Sequence, residues 1–503
     1  MKHFTSFFAF LFLVQLLAAQ RIEVDSTFGQ NGYVQTPLFT SSSYYSSIMD
    51  LTPDNQIVIT ASGPSQESGL LFCKYSTNGD SVLGYHFLND FQDYSITAIK
   101  ALHDGRFLIT DHEKGKGLKL VNQDGVVDQQ FGTNGGAPLF YTAVEDMLIS
   151  RDSQILVAGQ NLNDFDGVLA GGYVIAYDME GHIDSTFGDH GKFWYHFNFV
   201  EFFNKIMQQS DGKILIAGCA LSNNSTTPGF NSLIRLLPNG TRDSTFGVNG
   251  LISEWVSTGG ENYSLTLQPD NKILVCGNDR GLQSGVVIRY LPDGTRDASF
   301  GANGVVTLPM IREATDLTVL PNGKILAYGT VPDADRHSAL IQLLPNGVLD
   351  PYFGYSGVFY NPLPKFSPPM KMKLVDGNKL IVTGSISYYT FNSVSTYHQL
   401  QAFTLDLSVG VVSPQHKAKF LTYPNPVQEQ FDIRFELETK EELQFDVYDL
   451  SGKHLQTVVP KTSFEAGSHT TAISLPAGLP AGTYILMLSS AGKPMTSVQL
   501  MKI

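Results

Sequence analysis

Short apolar runs separated by turn residues fill most of the chain, and they recur in a fixed order. Ser210-Asp211-Gly212-Lys213-Ile214-Leu215-Ile216 is typical: a turn pair, one polar residue, then an apolar run. The same arrangement stands at 53–59, 103–109, 151–157, 269–275, 321–327 and 376–382, which makes seven copies. Asp-Gly and Asn-Gly accept positive φ, so between β-branched runs they predict hairpins. A further strand then ends in a second turn, at Asn78-Gly79, Asp124-Gly125, Glu180-Gly181, Asn239-Gly240, Asp293-Gly294 and Asn346-Gly347. The corner Asp-x-x-Phe-Gly-x-x-Gly has six copies, beginning at Asp25, Asp128, Asp184, Asp243, Asp297 and Asp350. One more strand comes next, for example Val305 to Leu308. Each unit therefore predicts four strands, and a fixed period of about fifty to sixty residues predicts an array of one supersecondary unit, with a closed propeller the leading candidate.

The two counts differ, and the difference predicts how the array closes. After Asn78-Gly79 the corner is reduced to Val82-Leu83-Gly84. The strand after the seventh hairpin, about 397–405, has no corner at all, while the corner at Asp25 has no hairpin before it. Placing the strand that begins at Gly32-Tyr33-Val34 beside 397–405 supplies the missing strand and removes the exposed sheet edges. The expected fold is all-β: a seven-bladed β-propeller over residues 20–407, closed by the N-terminal strand.

From Ser408 to Lys419 the repeat stops; Pro414-Gln-His-Lys417-Ala-Lys419 is polar, without periodicity, and the stretch reads as a linker. Residues 420–503 have a different pattern. Phe431-Asp-Ile-Arg-Phe-Glu-Leu437 and Leu443-Gln-Phe-Asp-Val-Tyr-Asp449 alternate apolar and polar residues, and turns rich in Gly and Pro separate them from later short strands. That pattern predicts a small, Ig-like β-sandwich.

Composition agrees and excludes some partners. Charged residues are 16%, aromatics 11%, and there are 47 glycines. A net charge of −14 and a pI near 5.3 argue against a nucleic-acid footprint and against electrostatic binding to anionic lipid. Lys2 and the apolar run 7–17, followed by Ala18-Ala19, read as a secretory signal peptide at residues 1–19. No other stretch is long and apolar enough to span a bilayer, so the mature chain is expected to have no transmembrane segment. Three cysteines are not a disulfide framework. Cys219 and Cys276, at neighbouring positions of successive repeats, read either as a bridge between units or as small buried apolar side chains.

The hairpins and corners, as in Asn322-Gly323-Lys324-Ile325-Leu326 and Asp297 with Phe300-Gly301, resemble the delta-60 repeat, a bacterial unit associated with β-propellers of secreted or surface proteins. The resemblance covers about 22–407 and implies a fold, with no catalytic residues to carry over. The C-terminal segment resembles the sorting domain of the type IX secretion system of Bacteroidetes-type bacteria. The resembling residues are Tyr423-Pro424-Asn425-Pro426-Val427, Val447-Tyr448-Asp449-Leu450-Ser451-Gly452, Leu479-Pro480-Ala481-Gly482-Thr483-Tyr484-Ile485-Leu486 and Leu500-Met501-Lys502-Ile503. It implies that residues 420–503 engage the type IX machinery and that the product is secreted or held on the outer cell surface.

Candidate chemistry is sparse. Each corner Asp reads as a calcium ligand, since hard cations take oxygen, or as an acceptor for backbone N–H groups of its own turn. The Phe of each corner is expected to bury its ring between blades. Twelve histidines are scattered, with no His-Glu-x-x-His, Cys-x-x-Cys or Gly-x-Ser-x-Gly arrangement. Tyr85-His86-Phe87 and Tyr195-His196-Phe197 read as strand residues of two blades, with a ligand pair as the other reading; Trp194 and Trp255 read as packing residues, with sugar stacking as the other reading. Asn278-Asp279-Arg280 and Asp333-Ala334-Asp335-Arg336 fall in loops, where binding residues concentrate. No catalytic residue, cofactor site or metal site is assigned. The expected function is a non-catalytic binding, adhesion or structural module, monomeric, taking a glycan or protein ligand. The alternative is a secreted polysaccharide hydrolase or lyase whose site forms across blades at the channel mouth.

Overall fold

Turn residues with left-handed backbone set the architecture, and the computed structural model shows where each one leads. It describes residues 22–38, 47–62, 70–88, 98–110, 117–139, 143–161, 171–195, 200–221, 230–254, 260–333, 337–351, 353–354, 357–361, 366–389, 394–405, 420–423, 429–437, 439–448, 454–475, 478–480, 482–490 and 493–502. The signal peptide expected at 1–19 and the linker expected at 408–419 lie outside these. The chain forms two compact units, Arg21–Asp406 and Leu407–Ile503, and every element named here is a strand.

In the larger unit the described strands form seven sheets in sequence. The third is representative: Ala143–Ile149, Ile155–Asn161, Gly171–Tyr177 and Lys192–Tyr195 pair antiparallel in chain order. Its two middle strands are buried along their whole length, which is why their sequences are apolar on both faces. The first strands of the seven sheets lie side by side in cyclic order, that of the seventh (Phe366–Val375) against that of the first (Ser47–Leu51).

The N-terminal strands pair with the last strand of the seventh sheet. Ile22–Val24 and Tyr33–Leu38 both run antiparallel to Val394–Leu405, with Tyr33 opposite Gln401 and Pro37 opposite Tyr397. The expectation that this segment lies beside 397–405 is met residue by residue.

Two sheets depart from the expected plan. The second has three strands, and its fourth position is a single bridge between Leu118 and Ala137. Pro138 comes immediately after and has no N–H to continue the ladder. In the first sheet the reduced corner is no corner: Ser81–Leu88 pairs with its neighbour straight off the turn, Tyr75 opposite Ser81.

The Asp-x-x-Phe-Gly corners lock one sheet to the next. Asp243 Oδ1 accepts from Thr245 N at 3.1 Å and Thr245 Oγ1 at 2.6 Å, and Asp25, Asp184 and Asp297 do the same with Thr27, Thr186 and Ser299. The corner glycine then donates to the second turn of the next sheet, Gly188 N to Asn239 O at 2.7 Å and Gly247 N to Asp293 O at 3.0 Å. The corner Phe fills the same seam. Phe187 is fully buried, and a β-carbon on Gly240 of the next sheet would stand 2.7 Å from its ring. Gly29 N to Asn78 O, at 2.8 Å, is the same lock made by the N-terminal corner onto the first sheet.

The smaller unit holds a three-stranded sheet (Phe420–Tyr423, Gln430–Leu437, Gly467–Ser474) and a four-stranded one in the order His454–Phe464, Glu441–Tyr448, Gly482–Ser490, Lys493–Lys502. The alternation read from the sequence places Phe431, Ile433, Phe435 and Leu437 of one sheet in a core with Leu443, Phe445, Val447, Leu486 and Leu488 of the other.

Candidate functional site: the inner strands and the loop end

Antiparallel order puts the hairpin, and the corner where there is one, at the same end of each sheet. The hairpin joins strands one and two there, and the corner joins strands three and four. The strand ends joined by the connections that vary between repeats, from strand two to three and from strand four to the next sheet, are at the opposite end, called here the loop end.

The innermost strands run from the loop end toward the hairpins and carry charges inside otherwise apolar runs. In the third to sixth sheets the register skips one residue at the same level, passing over Glu145, Asn204, Tyr263 and Thr315. Such bulges re-aim side chains. Just beyond them Asp146, Lys205, Ser264, Asp316 and Lys371 stand opposite equivalent residues of their second strands. Asp50, Lys100 and Lys373 stand two positions nearer the hairpins.

These groups satisfy one another across the seams. Asp146 Oδ2 accepts from Lys205 Nζ at 2.9 Å and from Ile206 N at 3.1 Å. Asp50 takes Lys373 Nζ at 2.9 Å, Lys100 Nζ at 3.4 Å and Ala101 N at 3.0 Å. Asp316 accepts from Ser264 Oγ at 2.8 Å and from Met372 N at 2.8 Å. Burial alone would raise the Asp50 carboxyl; the charges of Lys373 and Lys100 overcome it and hold Asp50 far below the usual range. Asp146 is lowered in the same way, against burial, by Lys205 and Lys371.

Glu145 is the exception. Burial raises its carboxyl to about 7, with Lys371 opposing and Asp146 reinforcing the shift. Its Oε1 accepts from Gln160 Nε2 at 3.2 Å. A carboxyl poised near neutrality is suited to proton transfer.

The residues singled out from the sequence are dispersed. Tyr195 is buried in the outer strand of the third sheet, with the Arg242 guanidinium 5.9 Å from its ring centroid. His86 stands opposite Phe72 in the first sheet. The side chains of Tyr85-His86-Phe87, and His196, Phe197 and Trp255, lie outside the described residues. Trp194 packs on Tyr173 at 5.8 Å. Asp333 accepts from His337 N at 3.0 Å and contacts His337 Nδ1 at 2.6 Å, while 334–336 lie outside the described residues. Asn278 bonds Tyr263, and Arg280 pairs with Glu261, both at the loop end of the fifth sheet. Cys73, Cys219 and Cys276 are free and buried. Among the described residues no three His, Cys, Asp or Glu side chains gather as a metal site. Glu145, Lys371 and the other inner-strand charges were missed because no motif marks them. The available signal was a charge interrupting an apolar run, as in Glu145-Asp146 and Lys371-Met372-Lys373.

The architecture defines a repetitive all-β protein with a separate C-terminal β unit. Residues 209–246 and 268–300 match a family described as a domain of unknown function (DUF5122) beta-propeller. Residues 421–502 match the secretion system C-terminal sorting domain. The chain thus carries β-propeller repeats of that kind and a sorting domain of the type IX class, and it is exported to the outer cell surface or beyond. No helix among the described residues is long and apolar enough to cross a membrane. Comparison with curated proteins gives no match. Solved structures similar to this chain include a protein of unknown function from Dyadobacter fermentans (12% identity, 74% of this chain and 99% of that one, TM-score 0.38). A prolyl endopeptidase (10%, 80% and 54%, TM-score 0.43) and a neuraminidase-like protein of a flat-faced-bat isolate from Peru (9%, 79% and 97%, TM-score 0.37) are also similar.

Proposed function

We propose that residues 20–407 form one seven-bladed β-propeller, sealed by the N-terminal strands, and that it works as a non-catalytic binding module. In this reading residues 1–19 are the signal peptide and 408–419 a linker. Residues 420–503 are an Ig-like β-sandwich that engages the type IX machinery and leaves the propeller outside the cell as a monomer. The cyclic order of the first strands supports a single ring. One observation carries the functional reading: the inner-strand carboxylates Asp50, Asp146 and Asp316 are each committed to lysines or backbone N–H groups of adjacent sheets. Groups held in that way brace the seams and are not free to act as acid or base. The variable connections at the loop end are then the surface that takes a glycan or protein ligand.

Glu145 favours a second reading, a polysaccharide hydrolase or lyase, because its carboxyl is raised to about 7. One experiment separates the two. The purified chain is screened against polysaccharides for saturable binding and for product release. Binding without product is expected, unchanged in Glu145→Gln. Product formed by the wild type and lost in Glu145→Gln establishes the enzyme instead.

A further inference from the structure

The seam between the fourth and fifth sheets carries, toward the loop end, a group of buried polar side chains that the rest of the seam does not have. Farther down it is apolar, built from Leu215, Ala217, Leu233, Phe246, Val286 and Ile288. At its end stand Asn231 of the fourth sheet and Asn262, Asp279 and Ser284 of the fifth, each at most 2% exposed. Asn231 Oδ1 and Nδ2, Asn262 Oδ1, Asp279 Oδ2 and Ser284 Oγ have no hydrogen-bond partner among the described residues. An isolated orphan of this kind costs about 1–3 kcal/mol, and more for a carboxylate oxygen, so five together need an explanation.

Register brings them to one face. Gly260, Asp279 and Ser284 form a cross-strand row in the fifth sheet, and Asn262 lies two residues from Gly260 on the same face. That face meets the fourth sheet, because Asn262 Nδ2 donates to Ser232 O at 3.1 Å. Gly260 lets Asn231 approach the fifth sheet here: a β-carbon there would stand 2.8 Å from Asn231 Oδ1 and 2.2 Å from Asn278 O. Asp279 is fixed in direction, since its Oδ1 caps the turn by accepting from Gly281 N at 2.9 Å and Leu282 N at 3.0 Å. Its second oxygen is left for something else. The arrangement breaks the repeat: Ala220 and Val331 stand where the fourth and sixth sheets have their counterparts of Asp279.

We propose that this seam binds a hard divalent cation of the calcium class. One carboxylate oxygen, two amide oxygens and a hydroxyl supply up to four ligands, with water completing the shell, as such cations accept. A single carboxylate gives weak binding, in the range of about 10⁻⁴–10⁻³ M found in extracellular modules, which suits an exported protein. The cation would pin the fourth sheet to the fifth, and it is independent of whether the loop end binds a glycan or catalyses.

The test uses the full exported chain, stripped with chelator, and calcium alone as the probe. Titration is expected to show one site, and about 10 mM calcium to raise the melting temperature. Asp279→Asn, nearly isosteric, is expected to weaken binding about tenfold or more and abolish the shift. Ser284→Ala, which removes one neutral oxygen and no charge, is expected to weaken it less and serves if the first variant does not fold. No calcium-dependent shift in the wild type, an equal shift in both variants, or water alone at the site in crystals grown with calcium overturns the proposal.

Discussion

Lys213 Nζ stands 3.2 Å from Asp243 Oδ2, and this pair joins the two elements that the sequence repeats separately. In every sheet that has a corner, the polar residue of the hairpin lands on the corner's carboxylate. Lys272 meets Asp297 at 3.3 Å, Lys324 meets Asp350 at 2.7 Å, Lys379 meets Asp25 at 2.8 Å, and Gln154 Nε2 donates to Asp184 at 2.5 Å. Within one sheet the inner hairpin thereby holds the outer corner in position, and the corner in turn locks the next sheet. In the fourth and fifth sheets an arginine joins them. Arg235 Nε donates to Asp243 at 2.8 Å, its guanidinium lies 4.3 Å from the Phe246 ring centroid, and it also donates to Pro292 O of the next sheet.

Removing the two sides of that pair should cost different amounts. Asp243→Ala strands the Arg235 guanidinium, whose side chain is 5% exposed. A buried charge deprived of its partner costs about 3–5 kcal/mol. Lys213→Ala leaves Asp243 still paired with Arg235, and the lysine is 28% exposed, so about 1 kcal/mol or less is expected. Urea unfolding of the two variants measures the difference; equal losses would show that Arg235 does not depend on Asp243.

A second comparison separates backbone strain from packing. Gly240 and Gly323 have nearly the same φ, +80° and +78°. A β-carbon on Gly323 meets nothing closer than Pro345 Cγ at 3.8 Å, whereas one on Gly240 meets Gly188 N and the Phe187 ring at 2.7 Å. Gly323→Ala therefore carries only the cost of positive φ, about 1–2 kcal/mol. Gly240→Ala adds overpacking of the corner lock, a further 1–3 kcal/mol or so. Thermal unfolding of the two single variants checks the order.

Much of this was legible because hairpins and corners are local. Asp-Gly turns, the Phe-Gly corner and the strand alternation of 431–437 each fix a backbone within a few residues of the signal. What was not legible depends on residues far apart in the chain. Nothing near Gln154 announces Asp184, and nothing near Glu145 announces Lys371. The two seams without a corner lock among the described residues, first to second and sixth to seventh, show the same limit. Phe72 packs on Phe107 at 5.2 Å in one, and Phe359 on Phe403 at 5.4 Å in the other. Either aromatic alone reads as one more core residue.

Stability against pH should show two opposing groups. Against burial, which is the strongest influence, bonds from Thr245 and Lys213 and the Arg235 charge hold Asp243 at about 2; Ser299, Arg289 and Lys272 do the same for Asp297. Both lie below the ordinary 3.8, so their contribution is present above that value and is lost as pH falls toward 2. Burial lowers His398 from 6.5 to about 3, so the unfolded chain binds the extra proton between those values and stability rises with pH there. Glu145 is raised from 4.5 to about 7, so stability falls as pH rises through that window. The two nearly cancel between the ordinary Glu and His values. In Glu145→Gln the cancellation is gone, and stability should climb with pH across that interval by up to about 1.4 kcal/mol per unit. Denaturant midpoints measured in steps of pH read the slope; a flat profile in the variant would remove His398 from the account.

The pairing of Tyr33 with Gln401 gives the test of the closed ring. Residues 22–38 supply the seventh sheet with its corner and its outer strand, and Gly29 of that corner bonds Asn78 of the first sheet. A chain beginning after Leu38 keeps all seven hairpins yet leaves Val394–Leu405 as an unpaired edge, which invites strand addition from another molecule. It also removes Phe28, now fully buried, and so opens the core that it shares with Met49, Ile59, Ile381 and Leu400. If the seven sheets form one ring, this deletion should destabilise the larger unit and drive association or aggregation. The separate peptide 22–38, added back, should restore the monomer. Light scattering and hydrogen exchange at Val394–Leu405 report on both. A truncated chain that stays monomeric, with exchange there unchanged, would mean that the ring does not rely on its first strands for closure.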